Sequence, residues 1–508
     1  MTALPERGEF VIRGGLVMTM DPLIGTFEVG DVHVRDGEII GVGAHLDAGP
    51  ASVIDGAGMF VLPGFVETHW HLWNAIYRNL INVQGRYLAV KHELAPYHTA
   101  ADFHASVRMA MLEALDAGIT TVHDFAHNVV APEYADAEIA ALDESGLRAR
   151  FSYGWPDAMS NDEVMPLDDI ERVQRSLAAD GGPGEGRLTL GLVARGPQYT
   201  EEAVWGKEFD RAKALGLPIA IHAGPFARPV SAVQLRDLGF LGPDTMLVQF
   251  QRLTEGDRDA MLETGAWNSL GALLLHLRGP IAADIDNLVR SIDAGVNTCL
   301  SIDSTPISTV SMFDAMRSLW QLGVPAASGG AGHGGGHGSG HGAPTHGGDH
   351  GAGGHGSGGD HGAAGHGAGG HGAAAHGGAG HGSGHDAPAA VGPISLRRCL
   401  EMGTIDGARA LGLGAVTGSL TPGKRADIVM IRATDVNLVP AGDPEVALVC
   451  SATVGNVDTV IADGRILKSA GRIVGLDVDA IKADATRSLA GIRQRAGGHW
   501  AHGPKVTH

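Results

Sequence analysis

Two histidines one residue apart, His69 and His71, close the run Pro63-Gly64-Phe65-Val66-Glu67-Thr68-His69-Trp70-His71, directly after the strand-like Met59-Phe60-Val61-Leu62. On an extended strand, residues i and i+2 project to one face, so both imidazoles can reach one metal ion. His222 ends a second apolar strand, Leu217-Pro218-Ile219-Ala220-Ile221, and Asp303 ends a third, Thr298-Cys299-Leu300-Ser301-Ile302. Three imidazoles and a carboxylate, each at a strand end, form an N₃O donor set for a divalent transition metal, zinc foremost, with iron, manganese, nickel and copper as alternatives. Such an ion lowers the pKa of a bound water towards ~7, and Asp303 can serve both as ligand and as base. A single His-x-His pair is common without a metal, so the ordered set of four carries this reading.

Trp70, Trp73, Tyr77 and Arg78 follow the histidine pair closely. An aromatic wall with one cation suits a planar or acidic substrate, which makes Trp70, Trp73 and Arg78 candidate substrate contacts. Packing at the mouth of the fold is the alternative role for the same residues.

Several strand ends can share one site only if the strands lie parallel. Ile119-Thr120-Thr121-Val122, Leu188 to Leu192, Ile219 to Ile221, Met246 to Val248 and Thr298 to Ile302 are short apolar or β-branched runs. They alternate with helical segments such as Ala101 to Ala117, whose apolar positions recur at three- and four-residue steps. Repetition of this unit predicts an α/β fold, a (β/α)₈ TIM barrel in preference to an open doubly wound sheet, with the ligand site at the C-terminal strand ends. Both chain ends are strand-rich, with Asp36-Gly37 and Asp463-Gly464 as hairpin turns. They predict a small composite β-sandwich domain, residues 1–62 supplying its first part and 411–476 its second. The barrel would then occupy residues 63–410, and residues 477–508 a C-terminal helix and tail.

Residues 327–388 interrupt the pattern with Gly, Ala, Ser and His, and contain twelve of the 26 histidines at four- to six-residue spacing. Such composition cannot bury enough apolar surface to fold alone, so the segment is expected to be a disordered insertion in the barrel. Its imidazoles could chelate additional metal ions, as a buffer or delivery device or only incidentally.

The 508 residues suffice for a large core, and the net charge of −20 argues against nucleic-acid or anionic-membrane partners. No run approaches the ~18–20 apolar residues of a membrane span. Three scattered cysteines and an N-terminus without an apolar signal core point to a reducing, cytoplasmic location.

The ordered motifs resemble those of the amidohydrolase superfamily, in the branch of cytosine, guanine and adenosine-type deaminases and triazine hydrolases. The resemblance rests on the Pro63–His71 run, Asp116-Ala117-Gly118-Ile119-Thr120-Thr121-Val122, Ile221-His222-Ala223 and Ser301-Ile302-Asp303-Ser304. It continues through Thr404 to Gly412 and Gly418 to Asp427, and covers the chain apart from the His-rich segment. It implies a metal on His69, His71, His222 and Asp303. Binuclear members carry a modified lysine on the fourth strand; Arg187 to Ala194 has none, which implies a single metal. The resemblance also implies a proton-shuttling Glu three residues after His222 and a His at the end of the sixth strand. Pro225 and Gln249 stand there instead. Gln249 can orient a water but cannot exchange protons at neutral pH. Candidates to replace the missing acid are His127, read as following the third strand, and His276, beyond the seventh. Gln198, after the fourth strand, is a further candidate and a possible substrate contact.

These readings predict a metal-dependent hydrolase acting on a C–N or similar C–X bond of a small cyclic or aromatic nitrogen compound. A repurposed lyase, isomerase or oxidative enzyme on the same fold, or a metal-buffering protein, are the alternatives. The resemblance implies a homo-oligomer, a dimer or larger.

Overall fold

The computed structural model describes residues 4–80, 87–224, 228–273, 282–323 and 394–502. The segment 327–388, Pro225 and His276 lie outside the described residues.

The N-terminal strands are β1 (Glu9–Met18), β2 (Thr26–Arg35), β3 (Glu38–Gly43), β4 (Ser52–Asp55) and β5 (Met59–Pro63). Parallel strands follow: β6 (Phe65–Trp70), β7 (Ile119–Ala126), β8 (Arg148–Tyr153), β9 (Leu188–Val193), β10 (Ile219–His222), β11 (Thr245–Val248), β12 (Trp267–Leu270) and β13 (Thr298–Leu300). The chain returns to the first region with β14 (Ile428–Arg432), β15 (Val457–Ala462), β16 (Arg465–Ser469) and β17 (Arg472–Ile473).

Strands from both chain ends form one nine-stranded mixed sheet in the order β17-β16-β15-β14-β5-β1-β2-β3, with β4 also paired to β1. The seam is β5, antiparallel to β14 and parallel to β1. Phe10, Ile12, Val32, Val34, Ile428 and Met430 bury the apolar faces of this sheet in a core of their own. Both expected hairpin turns are present. Asp36 and Gly37 have φ of +51° and +83°, and Asp463 and Gly464 of +52° and +76°. Left-handed backbone at both central positions matches the right-handed twist of the strands, and Asp-Gly adopts it readily.

β6 to β13 lie in chain order as eight parallel neighbours. Beyond β6 and β13 the two edges meet. His71 donates its backbone N–H to the Asp303 carbonyl at 3.0 Å, and Asp303 donates to the His69 carbonyl at 3.0 Å. Closure of the barrel therefore uses the backbone of three metal-site candidates. Between β5 and β6, a Cβ on Gly64 would lie 2.1 Å from the Thr120 hydroxyl oxygen, so only glycine lets β6 approach β7 there.

Two barrel strands escaped the sequence pattern. β8 reads Arg-Ala-Arg-Phe-Ser-Tyr, yet all six residues are buried; Arg148 is neutralised by Asp427 at 3.0 Å. β12 reads Trp-Asn-Ser-Leu and is equally buried. His127 directly follows β7, which is the second barrel strand, after β6, and not the third. The helix Ala100–Asp116 covers the barrel and starts with a capping box between Thr99 and Asp102. The C-terminal helix Val478–Ala496 docks on it, with Ser488 donating to Asp102 at 2.6 Å. Among the described residues no helix is long and apolar enough to cross a membrane.

Candidate metal centre

His69 lies on β6 and His71 one residue beyond it, while His222 ends β10. One ring nitrogen from each falls within 4.8 Å of the other two. Asp303 follows β13, with Oδ1 3.3 Å from Nε2 of both His69 and His71. Asp303 and Gln249 have φ of +68° and +60°, an unfavourable region for residues with a Cβ, and their side chains hydrogen-bond to each other. All five residues sit at C-terminal strand ends, the face where parallel barrels bind ligands.

The electrostatics suit a cation. Burial, then the neighbouring His69 and His71, depress the His222 pKa well below its ordinary value, which leaves a neutral imidazole with a lone pair to give. Burial works against ionisation of Asp303, but hydrogen bonds from His69 and His71 hold its carboxyl well below the usual range. The three clustered imidazoles, with the Asp303 carboxylate against two of them, suit a divalent metal ion.

The elements around the cluster explain its rigidity. Glu67 is fully buried, accepting the backbone N–H of His69 at 2.7 Å and of Ile302 at 2.9 Å. Burial pushes its carboxyl well above the usual range, while those two N–H groups pull the other way. Thr68 binds the Ser269 hydroxyl and the Leu300 carbonyl, both at 2.8 Å. Phe125 on β7 sets its ring 4.5 Å from His69 and 4.6 Å from His222, centroid to centroid.

Residues 60–321 and 383–467 match the model of the amidohydrolase family, more than half of the chain. The chain belongs to the amidohydrolase family. It is 24% identical to a 5'-deoxyadenosine deaminase of Methanosarcina barkeri, over 94% of this chain and 97% of that one. It is 25% identical to a 5-methylthioadenosine/S-adenosylhomocysteine deaminase of Halobacterium salinarum, over 96% and 98% respectively. Its fold is similar to that of a zinc-bound adenosine deaminase of Xanthomonas campestris, with a TM-score of 0.72 at 19% identity, covering 96% of this chain and all of that one. A zinc complex of atrazine chlorohydrolase from Arthrobacter aurescens gives a TM-score of 0.69 at 20% identity, over 94% and 99%.

The other candidate residues of this amidohydrolase fall in different places. Trp70 is fully buried in the main apolar core, its indole N–H bound to Thr305 at 2.9 Å. Trp73 is also buried, stacked on Phe103 at 5.5 Å, with its N–H 3.3 Å from Nδ1 of His127. Arg78 is held by Glu113 at 2.7 Å. Gln198 donates to the Gly224 carbonyl at 3.0 Å, supporting the loop after His222. His127 adjoins the cluster, its Nδ1 3.1 Å from Nδ1 of His71. Sequence reasoning missed Lys91 and Asp157, which flank the far side of His127. It also missed Trp155 and Tyr199, which are partly exposed, with ring centroids 6.2 Å apart. The ring of Tyr199 lies 6.4 Å from that of His222. The one available signal was that Trp155 and Asp157 directly follow β8, itself unseen.

Proposed function

We propose that this amidohydrolase uses a single divalent metal to replace an exocyclic substituent of a nitrogen heteroaromatic ring by the oxygen of water, with aminopurine nucleosides as the foremost substrates. The observation that carries the proposal is the convergence of His69, His71, His222 and Asp303 at the C-terminal strand ends. These four would hold the ion, zinc by analogy with the adenosine deaminase and chlorohydrolase structures. When bound, the metal supplies Lewis-acid activation of water at neutral pH.

Asp303 takes the proton as the water oxygen bonds to the ring carbon. Gln249, hydrogen-bonded to that carboxylate, orients it without exchanging protons. Tyr199 beside His222 and Trp155 beside His127 offer planar surfaces suited to a flat ring. In deamination the proton that Asp303 took from the water passes to the amino nitrogen as the C–N bond breaks, and that nitrogen leaves as ammonia. The sequence similarity to two nucleoside deaminases supports this outcome.

Gln249 favours a second reading within the same chemistry. A halide leaving group departs as an anion and needs no proton, so a C–X bond would suit a site whose sixth strand ends in glutamine.

The deciding assay incubates zinc-loaded protein with 5'-deoxyadenosine, 5-methylthioadenosine and a chlorinated triazine, and measures ammonia and chloride. Ammonia from a nucleoside, abolished in His69→Ala and lowered roughly 10²–10⁴-fold in Asp303→Asn, supports deamination. Chloride alone supports the second reading. Neither product, from protein that binds zinc through His69, would sink both.

A further inference from the structure

Between β7 and the helix Pro132–Glu144 lies a pair of buried carboxyls that neither the metal centre nor the proposed reaction uses. Asp124 alternates with His123 and Phe125, and so shares the outer face of β7 with Val122 and Ala126, both in the main apolar core. Its cross-strand partners Trp70 and Phe151 belong to that core as well. Glu138 lies three residues after Ala135 and four before Leu142, on the stripe by which the helix packs on the barrel. Both carboxyl residues are 0% exposed, and each is the other's hydrogen-bonding neighbour.

Nothing else supplies these oxygens with a donor. Among the described residues no N–H or O–H reaches any of the four in hydrogen-bonding geometry, and the backbone N–H of Leu72 only approaches Asp124. The charged groups on the surrounding elements are engaged elsewhere. On the helix Ala100–Asp116, His104 and Arg108 pair with Glu144, Glu113 with Arg78, Asp102 with Arg495 and Asp116 with Lys468. On the helix of Glu138, Asp136 and Asp143 pair with Arg172 and Arg187, and Glu133 is exposed. On β8, Tyr153 binds Asp169, while Arg148 and Arg150 turn to Asp427 and the Leu411 carbonyl. Glu67 on β6 is held by the backbone of His69 and Ile302, and His123 on the inner face of β7 binds the Thr68 carbonyl and Ser152. Burial pushes both carboxyls above their usual range, and the charge of Asp124 pushes Glu138 further.

An ionised carboxylate only accepts, so two of them hydrogen-bond only when one keeps its proton. We propose that Asp124 and Glu138 share a proton at neutral pH, forming an O–H···O⁻ bond that fastens the helix Pro132–Glu144 to β7 and lets go in base. When that proton passes to solvent, two like charges are left side by side away from water, which loosens the helix from the strand. The same strand carries Phe125 against His69 and His222, so the clamp backs the cluster without touching it. It does not depend on a metal being held there.

The test compares the full-length wild type with the double variant Asp124→Asn/Glu138→Gln, unfolded in urea at one zinc concentration from about pH 6 to 8. In the unfolded chain these carboxyls lose their protons near about 3.9 and 4.3. A folded state that still holds one proton loses roughly tenfold in its folding constant per pH unit until that proton leaves. The amide pair keeps an N–H···O bond of the same shape and has nothing to titrate. The wild-type folding constant is therefore expected to fall about tenfold per pH unit relative to that of the variant. An unchanged ratio across the range would overturn the shared proton. Should the double variant fail to fold, as judged by circular dichroism, Glu138→Gln takes its place with a shallower expected fall. Infrared spectra of the wild type need no variant: the carbonyl band of a neutral carboxylic acid is expected at neutral pH and lost in base. Its absence from the folded protein would overturn the proposal.

Discussion

Glu67 shows how much of the candidate metal centre depends on one side chain outside the histidine cluster. Its two oxygens hold the backbone N–H of His69 on β6 and of Ile302 beside Asp303, so a single carboxyl spaces two of the donor-bearing strand ends. Gln in its place has the same shape but only one acceptor, and would turn an amide N–H₂ against a backbone N–H. Leaving one buried N–H unsatisfied costs about 1–3 kcal/mol. Glu67→Gln is therefore expected to lower the unfolding free energy of the metal-free protein in urea by that amount and to weaken zinc binding as well. Wild-type stability in the variant would show that the bridge contributes nothing. At the same scale, the aromatic residues near His71 divide by direction. Trp70 alternates out of the barrel into the apolar core, while the partly exposed Tyr199 and Trp155, distant in the chain, lie beside His222 and His127 respectively.

Between elements, the barrel and the terminal β sheet are tied by ions at the opposite ends of the strands. Asp463, in the turn between β15 and β16, receives Nε of Arg7 at 2.9 Å, Nε of Arg425 at 2.6 Å and Nη1 of Arg465 at 3.1 Å. Arg148, the first residue of β8, reaches Asp463 at 3.5 Å and Asp427 at 3.0 Å. Asp427 in turn accepts the Asp463 N–H at 2.6 Å. Both chain ends and a barrel strand thus meet on two carboxylates. Removing one charge leaves buried arginine underpaired, so Asp463→Asn is expected to destabilise the fold by about 3–5 kcal/mol at neutral pH. Burial raises the Asp463 pKa, but hydrogen bonds from Arg425 and Arg7 more than offset it and the net shift is downward. A carboxylate with a folded-state pKa below its unfolded value of about 3.9 stabilises fully above that value, and the benefit is lost as pH falls through the folded pKa. The gap between wild type and Asp463→Asn, followed by chemical unfolding, should be constant from pH 7 to about 5 and shrink below about 4. A gap independent of pH would mean that the aspartate acts by shape and not by charge.

For the whole molecule, metal binding and stability are linked, because an ion held only by the folded state stabilises by about 2.7 kcal/mol at a hundred times its dissociation constant. Chelation should lower the melting temperature and zinc should restore it, with no response in His69→Ala. Deleting residues 327–388 should preserve both that response and activity in saturating zinc, and reduce only the number of weakly held ions; loss of activity with zinc present would give the segment a structural or catalytic part. The sequence by itself determined that His69, His71, His222 and Asp303 stand at strand ends, the parallel barrel and the β domain built from both ends. Those depend on local features: residue type, alternation along a strand, Asp-Gly turns and a repeating βα unit. Only the tertiary structure decided that β8 is a buried strand, since two arginines read as surface until Asp427 and the Leu411 carbonyl are found across from them. It alone brought Lys91, His127 and Asp157 behind His71 and set Tyr199 beside His222 and Trp155 beside His127. Each of those contacts joins residues tens of positions apart, and which strand ends become neighbours is settled by closure of the barrel, where backbone bonds between β6 and β13 meet.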